Sequence, residues 1–166
     1  MLTQWTESRS CKWYADQPFL FGANFIPSTA VNQLEMWQAE TFAAVTIRRE
    51  LQYANRIGMN VMRVYLHNLD WPYNAEAFVQ RIKTYLNIAA ESKIKTLFVL
   101  FDDCWHPSPQ LGPQPMPVPN SHNSGWVQSP GTYLVNDEGS WPPLLAYLEN
   151  ILHVFGQDDR IIAWDL

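Results

Sequence analysis

The chain has 166 residues, of which 47% are hydrophobic and only 16% charged, with a formal net charge of −5. That length sustains one domain with its own core, and so apolar a composition excludes a disordered chain. The negative charge argues against a nucleic-acid partner, because phosphate contacts need the opposite sign.

Aromatic residues make up 14% of the chain, including eight tryptophans. That is more than a core of this size needs, so some are expected at the surface. Cys11 and Cys104 read better as free thiols than as a disulfide. The opening "MLTQWTESRS" lacks the basic-then-apolar pattern of a secretory leader, and no apolar run approaches ~18 residues. The expectation is therefore a cytoplasmic chain with no membrane span.

In chain order, the apolar run "PFLFGANFIP" predicts a first strand over residues 19–26. Asn32 and Glu35 have the spacing of a helix cap answered from its third position, so a short helix follows. Ile47, Leu51, Ala54 and Ile57 recur at helical spacing, with Thr46 the expected N-cap and Gly58 the terminator. "NVMRVYLHN" predicts a second strand over 61–67, with one charge, Arg63, in its middle. Phe78, Ile82, Tyr85, Leu86 and Ala89 mark one face of a helix over 75–92. A third strand over 96–102 is continuously apolar from Leu97 to Phe101, with polar Asp102 at its exit, which predicts that both its faces are covered.

Residues 105–140 then show neither helical nor strand periodicity and contain seven prolines, from Pro107 to Pro130. Loops longer than ~12–15 residues are uncommon in compact domains and often functional. After Ser140, Leu144, Leu145, Leu148, Ile151, Leu152 and Phe155 form an apolar helical stripe closed by Gly156. The chain finishes on "RIIAWDL", which predicts a buried fourth strand over 161–166. Strands alternating with helices predict a parallel α/β sheet joined by right-handed crossovers. A doubly wound sheet and a portion of a (β/α)8 barrel both fit. The first strand-to-helix turn has no glycine-rich phosphate fingerprint, and four strands in this length match half a barrel.

In a barrel the site lies at the C-terminal strand ends. Polar residues fall there repeatedly: Asn24, Arg63, His67, Asn68, Asp70, Asp102, Asp103 and Asp165. A guanidinium inside a strand needs a carboxylate partner. Arg63 therefore either orients a catalytic carboxylate or makes a structural ion pair, with Asp102 the candidate partner. Asp102, Asp103, Cys104 and His106 suggest a metal, but adjacent strand positions face opposite ways and should not converge. Cys104 has no evident base and is expected to be buried. Trp105 and Trp126 lie in the long loop, where a flat indole suits the C–H face of a sugar ring or, alternatively, pins the loop down.

Five segments carry a resemblance: "GANFIPSTAVNQLEMWQAETF", "IGMNVMRVYLHNLDW", "IKTLFVLFDDCWHP", "HNSGWVQSPG" and "FGQDDRIIAWDL". Together they resemble bacterial cellulase-like or xylanase-like glycoside hydrolases related to glycoside hydrolase family 5. The resemblance implies an α/β chain forming the N-terminal half, strands one to four, of a (β/α)8 TIM barrel. It also implies retaining hydrolysis of a β-linked polysaccharide or oligosaccharide through two glutamates, with no cofactor. Those glutamates belong at the exits of strands four and seven, and the expectation is that both lie beyond Leu166 and that the chain alone is inactive. By the same resemblance Arg63 supports the nucleophile, and Asp102 and Trp105 line the sugar site, with Asn24, His67 and Trp126 nearby. His106 stands where the resemblance expects an acid. The alternative expectation is a non-catalytic module that binds carbohydrate or self-associates through open sheet edges.

Overall fold

The computed structural model describes residues 4–166. Its elements are α1 (Glu7–Ala15), β1 (Gly22–Asn24), α2 (Gln33–Trp37), α3 (Ala44–Arg56), β2 (Val61–Tyr65), α4 (Asp70–Tyr73) and α5 (Ala75–Glu91). They continue with β3 (Lys95–Val99), α6 (Thr132–Asn136), a 3-10 turn (Glu138–Ser140), α7 (Trp141–Phe155) and β4 (Ile161–Asp165). The four strands form one parallel sheet in the sequential order β1-β2-β3-β4.

β1 is shorter than its apolar run suggests. Residues 19–21 meet the Asn60 side chain instead of a strand: Asn60 Oδ1 accepts from the Phe21 amide at 2.9 Å, and Asn60 Nδ2 donates to Phe19 O at 2.9 Å. Gly22 opens the ladder because nothing larger fits: a Cβ there would lie 1.7 Å from the Val61 carbonyl oxygen.

Side-chain alternation splits the sheet into two unlike faces. Met62, Val64, Thr96 and Phe98 are buried on one face, in the core formed with α2, α3, α5 and α7. Trp37 at the end of α2 is the centre of that core. Its indole N–H donates to Tyr65 O at 2.7 Å, and its ring packs against Phe42, Phe78, Tyr85 and Phe98. The other face carries Val61, Arg63, Leu97, Ala163 and Asp165, all half-exposed. On this second face of β3 Leu97 is half-exposed and only Val99, at the strand's end, is buried, so the cover there is partial where the sequence predicts it complete. β4 is half-buried along its whole length for the same reason, with one uncovered face and one unpaired edge.

The helices follow most of their signals, and the departures have local causes. Asn32 caps α2 by accepting from the Glu35 amide at 3.0 Å, as its spacing predicts. α3 begins at Ala44 without a side-chain cap, so Thr46 sits inside its first turn, while Gly58 ends it at φ +89°. In α7, Pro142 and Pro143 occupy the first turn, but only Leu144, Tyr147, Ile151 and Phe155 are buried. Leu145 and Leu152 point outward at 55% and 40% exposure, so the apolar stripe is wider than the face that packs. The long loop holds α6 and the 3-10 turn, and two backbone bridges, Asp102 with Ser129 and His106 with Val127, tie it to the exit of β3. α1 has no counterpart in the sequence reading because it buries no residue and so lacks a periodic apolar face. No helix among the described residues is long and apolar enough to cross a membrane.

Candidate functional site

The parallel register brings the strand ends to one rim. β2, β3 and β4 finish level, at Tyr65, Val99 and Asp165, and β1 finishes two residues earlier, with Asn24 beside Arg63. Arg63 reaches past β3 to β4: its Nε and Nη2 donate to Asp165 Oδ2 at 2.9 and 2.6 Å. The partner is therefore Asp165 and not Asp102. With side chains 36% and 40% exposed, the pair is a surface-grade interaction of about 1 kcal/mol or less. The guanidinium also lies over the Tyr65 ring, 4.7 Å from its centroid, and Nη1 donates to the Tyr65 hydroxyl. Tyr65 is part of this site and was not singled out from sequence. Its alternation with Arg63 along "RVY" was the available signal.

From Tyr65 a row of aromatic rings runs outward. Trp126 stands edge-on to Tyr65 at 5.3 Å between centroids, Trp105 edge-on to Trp126 at 5.4 Å, and His122 follows Trp105 at 6.1 Å. Trp105 is 37% exposed and Trp126 half-buried, so each offers part of its ring to solvent. Trp105 sits at φ +76°, an unusual conformation for so large a residue. Asp102 holds it there. One carboxylate oxygen accepts from the Trp105 indole N–H at 3.1 Å, the other from the Cys104 amide at 3.1 Å. The sequence-predicted residues Arg63, Asp102, Trp105 and Trp126 are thus brought together, with Asn24 exposed at the end of β1 beside them.

His67 is placed differently. It is fully buried, its Nε2 donates to Gln128 O at 2.8 Å, and its Nδ1 accepts from the Leu69 amide at 3.2 Å. Both ring nitrogens are used by the protein, so His67 anchors the long loop and does not face the groove. Burial pushes its pKa down to about 4, and the bond to Gln128 O opposes that shift only in part. His106 is exposed and its ring accepts from the Ser108 amide at 3.3 Å, which places it in the loop's own turn.

A groove of about 610 Å³ opens beside this rim, lined by Arg63, Asp102, Asp103, Cys104, Asp165 and the Leu144–Leu148 side of α7. Asp102, Asp103 and Cys104 do converge: their ligand-type atoms lie within 4.8 Å of one another. The strict alternation that argues against this ends with β3 at Val99, and Asp103 and Cys104 lie in irregular backbone just after the Asp102–Ser129 bridge. Cys104 is exposed, contrary to expectation. The neighbouring Asp102 carboxylate, followed by burial and Asp103, pushes its thiol pKa up, which disfavours a nucleophilic thiolate.

All eight glutamates lie outside the strands, on helices, on the 3-10 turn or in the loop after α2. No pair of them flanks the groove as double displacement requires, with carboxyls about 5–5.5 Å apart. Comparison with protein-family models, curated proteins and solved structures gives no match.

Proposed function

We propose that this chain is the β1–β4 half of a (β/α)8 barrel belonging to a retaining glycoside hydrolase. Its substrate class is a β-linked polysaccharide such as a glucan, mannan or xylan, cleaved in the endo manner of cellulases, mannanases or xylanases. The observation that carries this reading is the rim itself: the tips of sequential parallel strands present Asn24, Arg63 and Asp165 beside an aromatic row that runs from buried Tyr65 through half-buried Trp126 to exposed Trp105. Two further features support a barrel half over a doubly wound sheet. The strand order does not reverse, and the buried core lies on one face only, whereas a doubly wound sheet carries helices on both.

In this reading Trp105 and Trp126 present flat apolar surfaces to sugar rings, and Asp102 fixes the first of them. Arg63, preorganised by Asp165 and Tyr65, supplies the positive charge that keeps a nucleophilic carboxylate ionised. The acid/base and nucleophile glutamates are contributed from outside this sequence, and water completes the double displacement without a cofactor. The test is an assay of the 166-residue chain on β-1,4-glucan, mannan and xylan. Oligosaccharide binding without turnover is the expected result; sustained turnover by the isolated chain would overturn the assignment of chemistry.

One observation favours a second reading, a non-catalytic module that self-associates or holds sugar: β1 and β4 have unpaired edges, and Phe19, Leu20 and Phe21 beside β1 are exposed. Sedimentation separates the two, since this reading requires a defined dimer.

A further inference from the structure

Four buried polar groups hold the segment that carries Trp126, and two of them come from the first turn of α2. Asn32 and Gln33 are both 0% exposed. Asn32 uses the two ends of its amide for different tasks. Oδ1 caps α2, while Nδ2 donates to Gly125 O and to Gln114 Oε1, both at 2.8 Å. Gln33 Nε2 donates to Val127 O at 2.5 Å. The backbone is therefore gripped on either side of Trp126. His67 on Gln128 O and Asn68 with the Ser129 hydroxyl continue the grip. At the far end of α2, Gln38 exchanges two hydrogen bonds with the Gly112 backbone, at 3.2 and 2.5 Å.

Two details mark this as a built device. Gly125 passes so close to α2 that a Cβ there would lie 2.3 Å from Val31 Cγ1. Gln33 keeps its other amide atom, Oε1, buried with no partner among the described residues, a penalty that an apolar side chain would avoid. α2 is itself fixed by Trp37 at the centre of the core.

We propose that Asn32 and Gln33 are positioning residues for carbohydrate binding: they transmit the rigidity of the core to Trp126 and hold its ring ready for a sugar. The inference rests on the glycan-binding reading given above. A preset platform binds better than a mobile one because less conformational freedom is lost on binding.

The test uses the whole chain with Asn32→Ser and, separately, Gln33→Met. Serine retains an acceptor for the helix cap but is too short to reach the loop. Methionine keeps the length of Gln33 and removes the donor together with the unpaired oxygen. Each variant is titrated with β-1,4-linked gluco-, manno- and xylo-hexasaccharides, and amide hydrogen exchange is followed over residues 125–129 and over β2 and β3. The expected result is about a tenfold loss of affinity per variant with faster exchange in 125–129, while protection in β2 and β3 is unchanged. Parent-like affinity despite a loosened loop, or a loop that stays protected in both variants, would overturn the inference and leave the glycan reading standing. Failure of the unmodified chain to bind any of the three sugars would instead sink the glycan reading, and this role with it.

Discussion

On the helix-covered face of the sheet, Met62, Val64, Thr96 and Phe98 are at most 3% exposed; on the opposite face of the same strands, Arg63 and Leu97 stay half-exposed. The covered face is apolar, close-packed and centred on one tryptophan. The open face ends in a guanidinium, carboxylates and a row of aromatic rings. One set of strands thus serves two purposes, because consecutive residues point to opposite sides. The covered face supplies stability, and the open face is free to carry polar groups that a core would not tolerate.

The sharpest way to break this division is to damage the covered face. Trp37→Ala removes the ring that touches Phe42, Phe78, Tyr85 and Phe98 and orphans Tyr65 O. Urea unfolding should show a loss of about 4 kcal/mol.

The pH response is next in size, and it involves two buried groups that follow β2 in the chain and whose effects oppose each other. Asp70 is 3% exposed, and its Oδ2 has no partner among the described residues. Burial raises its pKa to about 7, with Arg81 opposing the shift and Glu40 adding to it. The folded state therefore holds a proton that the unfolded chain has lost, and stability falls as pH rises from about 4 to about 7. His67, lowered to about 4, does the reverse: the unfolded chain takes the proton first, and stability falls as pH drops from about 6.5 to about 4. Between pH 4 and 6.5 the two slopes largely cancel. Asp70→Asn should unmask the histidine, giving stability that rises with pH, and should add roughly 2–4 kcal/mol at pH 8 but almost nothing near pH 4. Thermal melts across that range read both the sign and the size.

Much of this was legible in sequence. Helical periodicity located α3, α5 and α7 because each packs an apolar face on the sheet, and the capping signal of Asn32 placed α2. Arg63 and Asp102 were legible as polar residues at strand ends, and Trp105 and Trp126 as aromatic residues in the long loop that the resemblance placed at the same site. What was not legible depends on register or on side chains acting at a distance. The Arg63–Asp165 pair spans 102 positions and skips a strand, so nothing local announces it. His67 looked like a groove residue because it closes the predicted second strand, yet the long loop folds back and buries it. The convergence of Asp102, Asp103 and Cys104 was hidden because strand alternation stops three residues before Asp102.

Smaller effects sharpen the contrast on the open face. Asp165→Asn should lower stability by about 1 kcal/mol or less, since the pair with Arg63 is more than a third exposed. A loss above about 3 kcal/mol in urea unfolding would mark the pair as a buried structural element instead. Trp105→Ala should change stability least of all, as the ring is exposed and held mainly by Asp102.

The claim on which the account turns is that the open rim receives sugar. Titration of the chain with β-1,4-linked hexasaccharides, observed through the indole N–H resonances of its tryptophans, tests it most directly. The account predicts that Trp105 and Trp126 shift while Trp37, buried on the other side of the sheet, does not. Silence from both loop tryptophans with all three sugars would contradict it.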